Sequence, residues 1–211
     1  MIRLTKISIL PIFFILMSLE LISESDYNPF EDNRKTFEIS INGGYSIITH
    51  EKSIFWDDGL TFGLGINYYF TNDFLIGVSA GQTAYRPRPE ISQIDREYIY
   101  EIYPLNFNFQ YKFGKINQLE IFGGIGLAYV YGEYTVDNFQ YFDNGQRLRI
   151  RYVYASNGLG VIPNVKVRSP FGDDFAVDFS VDYSLLFMES RNNAVLSLDH
   201  INAKIALVYV F

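Results

Sequence analysis

From residue 37 onward the chain alternates between bulky apolar residues and small or polar ones. In 37–47, Phe37, Ile39, Ile41, Gly43, Tyr45 and Ile47 take one set of positions, and Glu38, Ser40, Asn42, Gly44 and Ser46 the other. Successive side chains of a strand point to opposite faces, so a period of two predicts a strand with one apolar and one polar face. The alternation returns in 60–70, 74–81, 103–113, 119–131, 158–168, 175–185 and 200–211, which makes eight runs in all. Most are about 9–12 residues long. A tilted membrane-crossing strand needs about 9–11, whereas a globular strand is nearer 5–6.

The connections alternate as well. Segments 71–73, 114–118 and 169–174 are short and hold Asn, Asp, Gly and Pro; 50–59, 86–97, 132–146 and 187–195 are longer. Tight turns at one rim and longer loops at the other are the asymmetry of outer-membrane barrels, and a soluble sandwich has no reason to sort its loops this way. Both termini then fall on the periplasmic side. Asp143-Asn144-Gly145 is a hairpin signal, so the fifth and sixth strands are expected to rise past the membrane as a ribbon, carrying Arg149 and Arg151 above it.

Which face points inward follows from width. Eight strands enclose a lumen that side chains just fill. So many rows of Phe, Tyr, Ile and Leu do not fit there, and Gly, Ser and Asn do. The predicted fold is all-β: an eight-stranded antiparallel up-and-down transmembrane β-barrel with its bulky rows toward lipid. A soluble ligand-binding barrel would reverse the faces. Phe70, Phe74, Tyr111, Phe113, Phe175, Tyr209 and Phe211 flank the short turns, while Tyr45, Tyr129, Tyr131 and Tyr183 lie near the long loops. Two aromatic belts at the membrane surfaces are expected from that placement.

Composition narrows the classes. Among 211 residues, 18% are aromatic and 19% charged, which excludes intrinsic disorder. With no Cys there is no disulfide scaffold, thiolate metal site, cysteine nucleophile or lipidated N-terminal Cys. A net charge of -7 argues against nucleic acid as a partner. Residues 1–25 have Arg3 and Lys6, an apolar run at 7–19, and Ser23 and Ser25 before Asp26. That is the layout of a secretory signal peptide, and about 13 apolar residues are too few to span about 30 Å of hydrocarbon. Segment 26–36 then reads as a short periplasmic lead-in and 37–211 as the barrel, exported to the outer membrane of a Gram-negative-type bacterium.

The C-terminus, Ile205-Ala206-Leu207-Val208-Tyr209-Val210-Phe211, ends in an aromatic preceded by alternating apolar residues. With the eight runs, it makes the chain resemble the small eight-stranded outer-membrane barrels, the OmpA transmembrane domain and OmpX class, over 37–211. The resemblance implies that Tyr209 and Phe211 are read by the outer-membrane assembly machinery. Unlike full-length OmpA, nothing follows the barrel, so no peptidoglycan-binding domain is expected.

The inward charges are Glu38, Lys112, Glu120, Lys166, Arg168, Asp178, Asp182 and Lys204. Turns near 116 and 172 set Lys112 opposite Glu120 and Lys166 opposite Asp178. A turn near 191 sets Lys204 opposite Asp178 and His200 opposite Asp182. Opposite charges across strands attract, and lone buried charges are costly. The expectation is a salt-bridged polar plug; the alternative is a narrow porin-like channel for small solutes. His200, Asp182 and Ser184 are the one arrangement with a nucleophile and a base. They point inward, whereas a lipid A-modifying enzyme works on the lipid side, so catalysis is not expected; His50 stands alone in a loop. No zincin, nucleophile-elbow, P-loop or dinucleotide motif is present, and no cofactor or metal is expected. The glycine pairs at 43–44 and 123–124 read as close backbone packing.

Exposed loops on a rigid scaffold are where binding usually lies. Arg86 and Arg88, stiffened by Pro87 and Pro89, and the aromatic Phe139, Tyr141 and Phe142 are the loop candidates for an extracellular ligand. Arg86, Arg88, Arg147, Arg149 and Arg151 are expected to face lipopolysaccharide phosphates. The reading is a monomeric structural and surface-interaction barrel. Its expected partners are outer-membrane lipids and lipopolysaccharide, the assembly machinery and an extracellular ligand.

Overall fold

The computed structural model describes residues 37–49, 56–71, 73–88, 96–142, 146–172, 174–189 and 199–211. The expected signal peptide 1–25 and lead-in 26–36, His50, Pro89 and the 143–145 turn lie outside the described residues. Eight strands follow in order: β1 (Phe37–Ile48), β2 (Gly59–Tyr69), β3 (Phe74–Tyr85), β4 (Arg96–Ile116), β5 (Leu119–Tyr141), β6 (Arg147–Phe171), β7 (Phe175–Glu189) and β8 (His200–Val210). Each pairs antiparallel with the next, and β8 returns to β1 to close the ring. Phe37 and Phe211 exchange backbone hydrogen bonds of 3.0 and 2.9 Å at the seam. Closure leaves no unpaired edge within the ring, which hydrocarbon requires.

The faces fall as the alternation predicts. On β2, Leu60, Phe62, Leu64 and Ile66 are exposed, with Leu60 at 71%, while Thr61, Gly63 and Gly65 are buried. The outward rows of β6 and β7 behave alike, with Leu159 and Phe187 each 65% exposed. At the short-turn rim the rings touch in series. Tyr68 meets Phe37 at 5.0 Å, Phe37 meets Phe211 at 6.1 Å, Phe211 meets Tyr209 at 5.8 Å, and Tyr209 meets Phe175 at 5.1 Å. This is a girdle of the kind that sits at a bilayer surface. At the other rim Tyr103 packs on Tyr131 at 6.0 Å.

The short turns use residues that tolerate the left-handed region. Asn117, between β4 and β5, has φ 57°, and Gly172, after β6, has φ 67°. The mid-strand glycines allow close approach: a Cβ on Gly44 would lie 2.1 Å from the Ala203 carbonyl oxygen, and one on Gly124 would lie 2.2 Å from that of Phe109.

Four strands outrun the expected length. β4, β5, β6 and β7 have 21, 23, 25 and 15 residues. The expected loops 86–97, 132–146 and 187–195 are therefore partly strand. Alternation and β-branched or aromatic residues continue through Tyr134, Val136, Ile150, Tyr152 and Val153, so pairing continues past the membrane, out to Tyr141 opposite Arg147.

Leu64 tests the orientation. Leu64→Arg puts a charge in the lipid band and is expected to lower unfolding stability in phospholipid vesicles by about 2–4 kcal/mol; an unchanged denaturation curve would refute the outward placement.

Candidate functional site

Polar side chains gather inside the ring near the short turns, and Arg168 on β6 is their hub. Its Nε and Nη2 donate to the two carboxylate oxygens of Asp178 at 2.7 and 2.8 Å, and its Nη1 donates to Glu38 at 2.7 Å and to the Tyr69 hydroxyl at 2.5 Å. Asn67 donates to the other Glu38 oxygen at 2.6 Å. Lys166 lies 3.3 Å from Asp178 and 4.0 Å from Glu38, with its ammonium 4.5 Å above the Phe122 ring. Glu38 is fully buried. Two carboxylates thus face two cations, all four buried, and Glu38, Asp178 and Arg168 are each held by two or more hydrogen bonds, the condition under which buried charge is tolerated. Leu75, Phe122 and Tyr69 pack together beside this layer.

Further pairs flank it. Lys112 lies 3.6 Å from Glu120 and 3.7 Å from Asp73. Lys204 meets Asp182 at 2.6 Å, and Asn202 donates to Asp182 at 2.5 Å. The network joins Lys112 with Glu120 and Lys166 with Asp178 as expected, but Lys204 does not pair with Asp178, His200 does not stand opposite Asp182, and the register differs. A bulge between Lys112 and Gly114 places Lys112 opposite Phe122 rather than Glu120, and the lysine reaches Glu120 diagonally. Lys166 stands opposite Ser180, and Arg168, not Lys166, stands opposite Asp178. β7 and β8 turn one residue later than expected. Lys204 therefore faces Ser180 and pairs with Asp182 rather than Asp178, and His200 faces Ser184 rather than Asp182. The sequence pattern does not single out Arg168 as the hub, nor does bulk suggest Tyr69 and Phe122 as lumen residues. Tyr69 has the parity of Asn67, and Phe122 the parity of Glu120; that is the signal the sequence offers.

Above the ionic layer the lumen opens into a cavity of about 110 Å³. Asn106 and Asn108 donate to Ser79 at 3.3 and 3.0 Å, and Gln110 donates to Asn164 at 2.8 Å along its wall. This polar space has room for several waters.

Toward the long loops the lining of the lumen turns apolar, where the sequence pattern predicts polar side chains throughout. Ile48, Trp56, Tyr85, Tyr100, Ile102, Val130 and Leu186 form a buried apolar cluster. Trp56 packs on Tyr100 at 5.8 Å and edge-on to Tyr134 at 5.7 Å; Tyr85 stacks on Tyr100 at 6.2 Å. The Tyr85 hydroxyl is bonded to Ser46 at 2.7 Å. Bulky side chains fit because glycine faces them. A Cβ on Gly59 would lie 2.8 Å from the Tyr85 ring, and one on Gly160 would lie 2.8 Å from a Leu186 methyl. His200 sits behind this cluster with its ring 6.0 Å from Tyr85. That is inside the barrel, away from any acyl chain. Among the described residues no group of three His, Asp or Glu could hold a metal ion.

Outside the ring stands the β5–β6 ribbon. Arg151 donates to both Asp137 oxygens at 2.9 and 3.1 Å, and Arg149 bonds the same carboxylate. These hydrogen bonds, from Arg149 foremost, hold the Asp137 carboxyl below the usual carboxylate range. Two of the arginines expected to face lipid phosphates thus close on Asp137. Arg147 lies 3.5 Å over the Phe139 ring, while Tyr141 and Phe142 are exposed at the tip. At the neighbouring loop Trp56 bridges Pro87, and Arg88 lies 3.8 Å from Asp57; Arg86 is exposed.

A closed ring of eight antiparallel strands, apolar outside and girdled by aromatics, is an outer-membrane β-barrel. No family model matches the sequence, and no curated protein sequence matches it. Among solved structures the chain is similar to Neisserial surface protein A, with 14% identity, a TM-score of 0.57, and coverage of 83% of this chain and 97% of that one. It is also similar to a major outer membrane protein of Thermus thermophilus, with 10% identity, a TM-score of 0.54, and coverage of 83% and 99%. The shared fold is that of small bacterial outer membrane barrels.

Removing the hub leaves Glu38 and Asp178 buried with Lys166 as the one remaining cation beside them among the described residues. Arg168→Ala is expected to cost about 3–5 kcal/mol of unfolding free energy in micelles; a loss under about 1 kcal/mol, one exposed pair's worth, would show that the network is idle. Asp137 predicts pH behaviour. Its folded pKa is depressed, so its pairing stabilises the ribbon fully above about pH 4, the unfolded value, and is lost only as pH falls toward the lower folded value. Amide exchange at 147–151 should stay slow at about pH 4 in the parent protein and be fast in Asp137→Asn. Equal exchange in the two would contradict the pairing.

Proposed function

We propose that this outer-membrane barrel is a non-conducting scaffold that displays a rigid sheet on the cell surface. One observation carries the reading: the lumen is filled at two levels, ionic below and apolar above, while β4, β5 and β6 continue beyond the ring. The narrow bore supports closure, since each layer alone occupies its width. The lipid-facing rows anchor the barrel as a monomer among outer-membrane lipids and lipopolysaccharide, and Tyr209 and Phe211 at the exposed end of β8 suit recognition by the assembly machinery. The chain acts without a catalytic role, His200 being a packed lumen residue. Function then rests with the extracellular surface, where Tyr141 and Phe142 lead and Arg86 and Arg88 stand beside them.

Two measurements test this. Reconstituted into planar bilayers, the protein should show no steady open state. The chain has no native Cys, so Tyr141→Cys offers a single thiol, which a membrane-impermeant maleimide should label on intact cells. A stable ohmic current, or a thiol labelled only after lysis, would overturn the proposal.

A further inference from the structure

Among the described residues, the ribbon has one long edge without a partner strand. β6 pairs with β5 along 147–168, but with β7 only from Asn157 onward. Among the described residues, no strand lies against the far side of 147–156. Such an edge offers a row of backbone N–H and C=O groups ready to pair with another extended chain.

The sequence along this edge, Arg147-Leu148-Arg149-Ile150-Arg151-Tyr152-Val153-Tyr154-Ala155-Ser156, says which chain would fit. One face carries Arg147, Arg149 and Arg151 at alternate positions, and the other carries Leu148, Ile150 and Tyr152. Leu148, Tyr152 and Val153 are exposed. The single carboxylate of Asp137 serves both Arg149 and Arg151 from the β5 side, and both guanidinium groups remain half exposed. Arg147 is held by the Phe139 ring, with no carboxylate paired to it among the described residues. Each guanidinium has five N–H donors, so acceptor demand is left over on the open side. A second copy of this edge would bring arginine rows together, and like charges across strands repel. The arginines therefore disfavour self-pairing and favour an acidic strand.

Resting on the surface-scaffold reading, we infer that the 147–156 edge of β6 is a docking site for an extended peptide segment of a protein partner. That segment would add as a further strand, with acidic side chains at alternate positions against the arginines and apolar ones between them.

The test uses the full mature chain in detergent micelles, with barrel closure checked by heat-modifiable gel mobility. The probe is a fluorescein-labelled ten-residue peptide of alternating Glu and Val, followed by anisotropy. An alternating Lys and Val peptide should bind at least tenfold more weakly. A Glu and Val peptide N-methylated along one edge should also lose at least tenfold, because it cannot complete the ladder. Arg147→Glu leaves the Asp137 pairs in place and should weaken the parent peptide severalfold. Equal binding of the Lys peptide, unchanged binding of the N-methylated one, or no binding at all would overturn the inference. So would a dimer, seen by sedimentation in density-matched detergent, that the peptide fails to dissociate. The scaffold reading fails separately, through bilayer current or a thiol at 141 hidden on intact cells.

Discussion

Ring closure is the constraint from which the other features follow. A strand in hydrocarbon cannot leave its N–H and C=O groups unpaired, so β8 must return to β1. With eight strands the bore is fixed at about one layer of side chains. That width sends most bulky rows outward and leaves the interior to glycine, amides and charge, with bulky side chains inside only where they pack in the two buried clusters. In the ionic layer Glu38, Asp178, Arg168 and Lys166 meet directly.

The two layers of the lumen rest on different physics. The ionic layer is held by charge-assisted hydrogen bonds that weaken sharply if one partner is removed, because what remains is a buried lone charge. The upper layer is held by ring packing and by shape, bulky side chains set against glycines, and it carries few polar demands. Between them the cavity, lined by amides and by Lys166, Asp178, Asp182 and Lys204, has room for water.

The strand set, its up-and-down order and the facing of each row are legible from the alternation alone, because a one-residue slip would expose every polar side chain to lipid. The membership of the charge network is legible for the same reason. The exact partners are not. A bulge at Lys112/Gly114 and one-residue shifts in the β6–β7 and β7–β8 registers change which residues stand opposite, and the alternation carries no mark of the shifts. The apolar upper layer escapes any reading in which bulk excludes a residue from the lumen. Parity is the better guide: Tyr85, Ile102, Val130 and Leu186 all carry the inward phase of their strands, and the glycines across from them supply the space.

The paired tip bears on how such a hairpin reaches the far side of a bilayer. Inserting from the short-turn rim, the barrel must carry residues 137–151 through hydrocarbon. Three arginines, Arg147, Arg149 and Arg151, and two aspartates, Asp137 and Asp143, give the stretch a formal sum of one positive charge. Ionised groups are expensive at the membrane centre. Asp137 holds two of the three guanidinium groups in the folded tip, and a hairpin that crosses with those pairs formed exposes fewer lone charges to hydrocarbon than one that crosses with them apart.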